Sequence, residues 1–165
     1  MSIANVLTFR TQEDVKLIDA RGPRFGALLT TLILTAFLAT GFMPLLYWQL
    51  AIFTLGAFVG ATPYSFIYRK LVKPRLSGDV PTEDVRPPQF AQLVGFLFAL
   101  SATIAYLIEA PTLGFVITGF ALAAAFLNAG FNFCLGCEVY LLIARAKASV
   151  TSRKNREDSY NLPSL

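Results

Sequence analysis

The two cysteines of the chain stand three residues apart in the segment FNFCLGCEVY, residues 131–140, and an acid follows the second directly. A C-x-x-C pair supports thiol redox chemistry or sulfur transfer, because one thiol attacks a partner and the other resolves the mixed disulfide. At about 100° per residue, Cys134, Cys137 and Glu138 fall on one helical face. These three residues are therefore the candidate catalytic residues.

Other interpretations of this cysteine pair stay open at this stage. A cysteine is often only a small buried apolar residue, and the motif would also suit a docking surface. The motif offers a metal ion only two thiolates and one carboxylate, and the chain has no histidine, so no metal site is predicted. The sequence specifies no cofactor. A permanent disulfide is not expected in a reducing cytoplasm.

The reactivity of the pair depends on the helix around it. In a continuous helix, Cys134 lies near the carbonyl end, where the helix dipole opposes a thiolate. A break at Gly136 would instead set Cys137 at the start of a new helix, within reach of Arg21 or Arg86. The sequence leaves both arrangements open.

Composition indicates a membrane protein, since 55% of the 165 residues are hydrophobic and 15% are charged, against about a quarter in globular domains. The charge-free stretch from Gly26 to Tyr68 would be about 64 Å long as one helix, twice the thickness of a hydrocarbon core. Pro44 suits the start of a second helix within it. The fold prediction is all-α and polytopic, with four transmembrane helices at residues 27–42, 45–68, 90–108 and 113–137.

The positive charges predict the orientation. The 14 Lys and Arg residues fall into three segments, which precede the first span, separate the second from the third, and follow the fourth. The positive-inside rule therefore places both termini and the middle loop in the cytoplasm. This topology accounts for the net charge of +4, so no nucleic-acid partner is expected.

A short motif occurs twice, as DARGPRF from Asp19 and as DVRPPQF from Asp84, 65 residues apart. The shared pattern D-x-R-x-P-x-F precedes an odd-numbered span each time and predicts two parallel, duplicated helical hairpins. The predicted organisation is a cytoplasmic segment 1–18, repeats 19–83 and 84–147, and a disordered tail 148–165. By the same offset, Cys134 and Cys137 match Arg69 and Val72.

The motif has a structural and a functional interpretation. Its Asp can cap a helix, its Pro can preset the first turn, and its Arg can anchor at the headgroups. In the functional interpretation, the two-fold arrangement brings four charged side chains together as a binding site beside the cysteines. Those residues are Asp19, Arg21, Asp84 and Arg86.

With this motif twice, four spans and CLGCEVY closing the last, the chain resembles an uncharacterised family of bacterial integral membrane proteins with a domain-of-unknown-function label. The resemblance covers about residues 17–146, and its most specific element is C-x-G-C-E-x-Y, here ending at Tyr140. It implies a location in the bacterial inner membrane and a thioredoxin-like or sulfurtransferase partner.

The resulting functional prediction is a membrane-embedded protein for thiol redox or sulfur handling, with its dithiol at the cytoplasmic face. The alternative is a non-catalytic subunit or assembly factor of a larger membrane complex. A reactive thiol of low pKa would favour the first, and inert cysteines would favour the second.

Overall fold

The computed structural model describes residues 17–75 and 81–160, with side chains up to residue 150. The described part is mostly helical, as predicted. It consists of β1 Leu17–Asp19, α1 Arg21–Thr40, α2 Met43–Val59, α3 Pro63–Arg75, β2 Thr82–Asp84, α4 Arg86–Leu107, α5 Pro111–Phe131 and α6 Leu135–Tyr160.

Three of these helices, α1, α4 and α5, are long and apolar enough to cross a membrane. A fourth span exists only if α2 and α3 are counted together, and these two helices meet at an angle of 81°. The span predicted for residues 45–68 is therefore not one continuous helix, because it is broken between Val59 and Pro63. Gly60 adopts a left-handed conformation with φ of 72°, which ends α2, and the Thr62 side chain caps α3.

A second break separates α5 from α6. α5 ends at Phe131, and Asn132 is left-handed with φ of 57°. The backbone N–H groups of Asn132 and Phe133 both bond to the carbonyl of Leu127, which closes the helix end. The helix predicted for residues 113–137 is thus interrupted just before the first cysteine.

Helices α1, α2, α4 and α5 form a ring in which α1 and α4 each contact both α2 and α5. The core holds Phe37, Leu46 and Ala102, and the Tyr106 ring stands edge-on to Phe37 at 5.5 Å between centroids. Many large apolar side chains point outward instead, among them Phe115 and Phe120. This pattern suits a bundle whose outer surface faces lipid.

The two strands join the starts of the two halves. β1 and β2 are antiparallel, with Leu17 opposite Asp84, Ile18 opposite Glu83, and Asp19 opposite Thr82. Because α1 follows β1 and α4 follows β2, this pairing holds the first turns of α1 and α4 at the same end of the bundle.

The C-terminal segment differs from its prediction, and most of the N-terminal segment lies outside the described residues. α6 runs to Tyr160, although the sequence predicts disorder from residue 148. Ala148, Lys154, Glu157 and the two arginines between residues 148 and 160 have high helix propensity, and the segment contains no Gly or Pro that would end a helix. Most of the predicted segment 1–18 and residues 161–165 lie outside the described part.

Candidate functional site

The described residues place the two D-x-R-x-P-x-F motifs and the cysteines at the same end of the bundle. This end contains the strand pair, the first turns of α1 and α4, and the breaks before α3 and α6. We call it the motif end. All seven residues predicted for the site lie there.

Cys134 and Cys137 are joined by a disulfide bond, with their Cα atoms 5.1 Å apart. Cys134 immediately precedes α6, and its Sγ accepts the backbone N–H of Cys137 at 3.2 Å. Its carbonyl accepts the N–H of Glu138 at 3.0 Å, the first bond of the helix. Cys134 therefore occupies the N-cap, at the positive end of the helix dipole.

The observed arrangement is neither of the two that the sequence leaves open. The chain departs from helical geometry at residues 132–134, not at Gly136, so Cys134 and not Cys137 stands at the helix start. Gly136 has a packing role, since an added Cβ would lie 2.7 Å from both Cα and Cβ of Ala91 on α4. Only glycine lets α6 approach α4 this closely.

Glu138 is exposed in the first turn of α6, whereas Cys137 is half-buried. The two side chains therefore have different surroundings, although their spacing predicts a shared face. A carboxylate in the first turn interacts favourably with the helix dipole, and this local role fits the position of Glu138.

In the first motif, Asp19 connects two helices. Its carboxylate accepts the backbone N–H of Arg21 at 3.0 Å and the hydroxyl of Tyr68 at 2.9 Å. The Tyr68 ring also packs on Phe25, the last residue of the motif, at 5.9 Å between centroids. Asp19 thus fixes α3 against the start of α1.

The second motif connects to the helix that carries the disulfide. Asp84 accepts the backbone N–H of Arg86 at 3.0 Å, and its other carboxylate oxygen lies 3.6 Å from Nε of Arg86. The buried Arg86 side chain is also hydrogen-bonded to Tyr140 of α6. Tyr140 is buried and packs on Phe90 at 5.7 Å between centroids.

Electrostatics at Tyr140 reflect this environment. Burial raises the pKa of the Tyr140 hydroxyl, and the nearby Arg86 opposes this rise. The hydroxyl stays neutral at physiological pH, so the guanidinium of Arg86 keeps Asp84 as its ion-pair partner. Arg86 therefore links the second motif to the buried face of α6.

Sequence reasoning missed a second pair of residues with the geometry of the cysteines. Thr62 caps α3, and its hydroxyl accepts the N–H of Ser65 at 3.1 Å. The signal was present as T-x-x-S-x-x-Y at residues 62–68 and C-x-x-C-x-x-Y at residues 134–140. These segments are 72 residues apart, whereas the predicted matching of the cysteines with Arg69 and Val72 uses an offset of 65 and points to residues inside α3.

Within the described ranges, no three His, Cys, Asp or Glu side chains converge as a metal site. An open pocket of about 290 Å³ lies elsewhere, midway along α1 and α5, and is lined by Thr31, Thr35, Gly119 and Phe126 among others. The thiol groups at the motif end are those of the cysteine pair.

These observations define a class of protein: a helical bundle with helices apolar enough to cross a membrane and a C-x-x-C disulfide at one end. The family described as Domain of unknown function (DUF4395) matches residues 18–145, and the chain belongs to this family. Comparison with curated proteins and with solved structures gave no match.

Proposed function

We propose that this protein carries out thiol redox or sulfur-handling chemistry at a membrane through Cys134 and Cys137. The observation that carries this proposal is the position of Cys134. It is the N-cap of α6, its Sγ accepts the N–H of Cys137, and it is already paired with Cys137 as a disulfide.

This position favours a reactive thiol in the reduced form. A helix N-terminus and a backbone N–H both stabilise negative charge on sulfur, which lowers the pKa of a thiol below its ordinary value of about 8.5. Cys137 lies one turn inside the helix, where its own N–H is already donated to Cys134. Cys134 is therefore the attacking thiol and Cys137 the resolving one.

The reaction with a partner disulfide has two steps. The thiolate of Cys134 attacks one partner sulfur, forming a mixed disulfide and releasing the other partner sulfur as a thiolate. Cys137 then loses its proton and attacks Sγ of Cys134, which re-forms the internal disulfide and releases the second partner thiol. Two electrons and two protons pass to the partner, and a more reducing partner drives the reverse reaction.

The proposed location is a bacterial inner membrane, with α1, α2, α4 and α5 as four spans and both termini in the cytoplasm. Support comes from the charges, because basic residues begin α1 at the motif end, and those of α3 and α6 follow the two breaks located at that end. A dithiol at that face would meet a cytoplasmic thioredoxin-like protein or sulfurtransferase.

We also propose that the two halves are parallel repeats. Each half has a strand, an Asp that accepts the N–H two residues later, and a broken second helix with a left-handed residue at the break. The strand register supports this. Ile18 pairs with Glu83, the residue 65 positions later, and on either side Leu17 pairs with Asp84 while Asp19 pairs with Thr82, so the pattern is symmetric about the central pair. The second half contains seven extra residues between its motif and its break.

A trapping experiment tests the function. In reduced protein, Cys137→Ser should leave Cys134 able to attack and should accumulate a mixed disulfide with a small aromatic disulfide or a thioredoxin-like protein. Cys134→Ser should accumulate far less. Alkylation rates of the single-cysteine proteins against pH should give Cys134 an apparent pKa below about 8.5.

The matched control is Ser149→Cys in a protein without the native cysteines. Ser149 is exposed on the same helix but far from its N-terminus, so its thiol should titrate normally. If Cys134 alkylates no faster than this control and both serine variants trap equally little, the redox proposal fails. The alternative, a non-catalytic subunit or assembly factor, would then replace it.

A further inference from the structure

We propose that α3 lies along the membrane surface and binds the headgroups of anionic lipids. The proposal concerns Pro63–Arg75 and uses neither cysteine, so it extends beyond the thiol chemistry. It shares with the proposed function only the assumption that the bundle crosses a membrane.

The angle between α2 and α3 supports this orientation. α2, from Met43 to Val59, is about 25 Å long at about 1.5 Å per residue, close to the roughly 30 Å of a hydrocarbon core. If α2 crosses the membrane, the bend of 81° turns α3 almost parallel to the bilayer plane. α3 is then a surface helix and not the end of a span.

The side chains of α3 suit a boundary between lipid and water. Phe66 and Leu71 are 64% and 51% exposed, and such apolar residues insert beside the acyl chains in interfacial helices. Four exposed basic residues accompany them, and the segment contains no carboxylate. Those residues are Arg69, Lys70, Lys73 and Arg75.

Charge complementarity identifies the ligand as an anionic lipid. Lys70 Nζ lies 5.7 Å from the centroid of the Phe66 ring, so a charged group and an apolar anchor share one position at the surface. Each Lys or Arg near an anionic leaflet is worth about 1 kcal/mol of attraction. A zwitterionic headgroup offers no comparable gain.

The other side of α3 is fixed to the bundle, which determines the side that faces outward. The Tyr68 hydroxyl donates to Asp19, and the Tyr64 hydroxyl donates to the buried amide oxygen of Gln49 at 3.3 Å. The Thr62 cap fixes the start of the helix. The basic side chains are thus presented on a rigid element.

The test uses a fluorescent reporter on α3. Trp48 is the only tryptophan, so Trp48→Phe with Phe66→Trp gives a single reporter at the proposed surface. This protein is reconstituted in phosphatidylcholine containing an equal fraction of either brominated phosphatidylglycerol or brominated phosphatidylcholine. We expect several-fold stronger local enrichment of phosphatidylglycerol, measured from the quenching.

Charge variants give the matched comparison. Lys70→Gln and Lys73→Gln should each lower the enrichment up to about 5-fold, the equivalent of about 1 kcal/mol. Arg145→Gln, an exposed charge on α6, should leave it unchanged. Excess inorganic phosphate should not abolish the preference, since the proposal requires a headgroup anchored in the bilayer.

Equal quenching by the two brominated lipids, or equal effects of Lys70→Gln and Arg145→Gln, would overturn the proposal. Lipids retained by the native protein in mass spectrometry provide a second measurement that avoids the tryptophan changes. The variant Cys134→Ser with Cys137→Ser should keep the lipid preference, so a failure of the redox function and a failure of lipid binding are distinguishable.

Discussion

Thr62 and Cys134 occupy equivalent positions at the starts of α3 and α6. Each is the residue before a restarted helix, and each side chain accepts the N–H of the residue three positions later, at 3.1 Å for Thr62 and 3.2 Å for Cys134. A left-handed residue two positions earlier ends the preceding helix in both cases. The same backbone arrangement therefore carries a hydroxyl pair in one half and a disulfide in the other.

This equivalence predicts that a second disulfide can be built. In a protein whose native cysteines are both replaced by serine, Thr62→Cys with Ser65→Cys should oxidise to an internal disulfide. The reason is that the backbone there already has the cap geometry that accommodates the native pair. Alkylation under denaturing conditions, followed by mass measurement before and after reduction, counts the free thiols.

Arg69→Cys with Val72→Cys is the control for this construction. These residues have the same spacing but lie inside α3, in a π-helical turn where residues i and i+3 point in different directions, which does not suit disulfide geometry. If this pair oxidises as readily as the pair at residues 62 and 65, the cap geometry is not what permits the bond.

Gly136→Ala should destabilise the protein by about 1 to 3 kcal/mol, because a methyl group must displace the backbone of Ala91. The thermal unfolding midpoint in detergent should fall. Gly130→Ala is the matched control, since a Cβ at Gly130 meets nothing within 4 Å. An equal effect of both substitutions would contradict the close approach of α6 to α4.

Tyr68→Phe should cost about 1 to 3 kcal/mol, because it removes the hydroxyl that donates to the Asp19 carboxylate at 2.9 Å. Tyr47→Phe, at a residue 44% exposed on α2, should change stability little. Chemical unfolding in mixed micelles measures both. If Tyr68→Phe leaves the free energy of unfolding unchanged, the hydrogen bond between α3 and the first motif contributes nothing to stability.

We expect the Glu83 carboxyl to make the stability of the fold depend on pH. Burial and, secondarily, the charge of Asp19 raise the pKa of the Glu83 carboxyl, so the folded protein binds this proton more tightly than the unfolded chain does. The penalty for the charged form is fully present above the folded pKa, decreases as the pH falls through it, and is gone below the unfolded pKa. Glu83→Gln should therefore raise the unfolding temperature slightly at about pH 7.5, and this gain should vanish near pH 4.

Glu109→Gln is the control, because Glu109 is exposed in the turn between α4 and α5. The unfolding temperature of the Glu109→Gln variant should equal that of the parent protein at both pH values. If Glu83→Gln shows a gain that is independent of pH, its cause is packing rather than titration.

The sequence predicted the apolar helices because their signal is local in the chain. The long uncharged stretch after Gly26 required two helices, and Pro44 lies in the first turn of α2 as expected. The Asp residues of the two motifs bond to the first helical N–H groups, as their positions before a helix suggested.

The breaks could not be predicted in the same way. Gly60 and Asn132 end their helices by adopting left-handed conformations. Glycine and asparagine also occur inside apolar helices without ending them, so the residue type alone does not predict a break. The role of Gly136 depends on Ala91, a residue on another helix. The contacts of Arg86 with α6 likewise depend on packing between distant segments, which periodicity along one helix does not encode.

The strand pair has a consequence for synthesis of the protein. Leu17 pairs with Asp84, and α1, α2 and α3 lie between the two strands in the chain. β1 therefore cannot pair until these helices and then β2 have left the ribosome. Closing this long loop costs conformational entropy that only the later contacts repay. The motif end therefore assembles only after α3 and β2 have been synthesised, and α6, which packs on α4, is added to it last because it comes last in the chain.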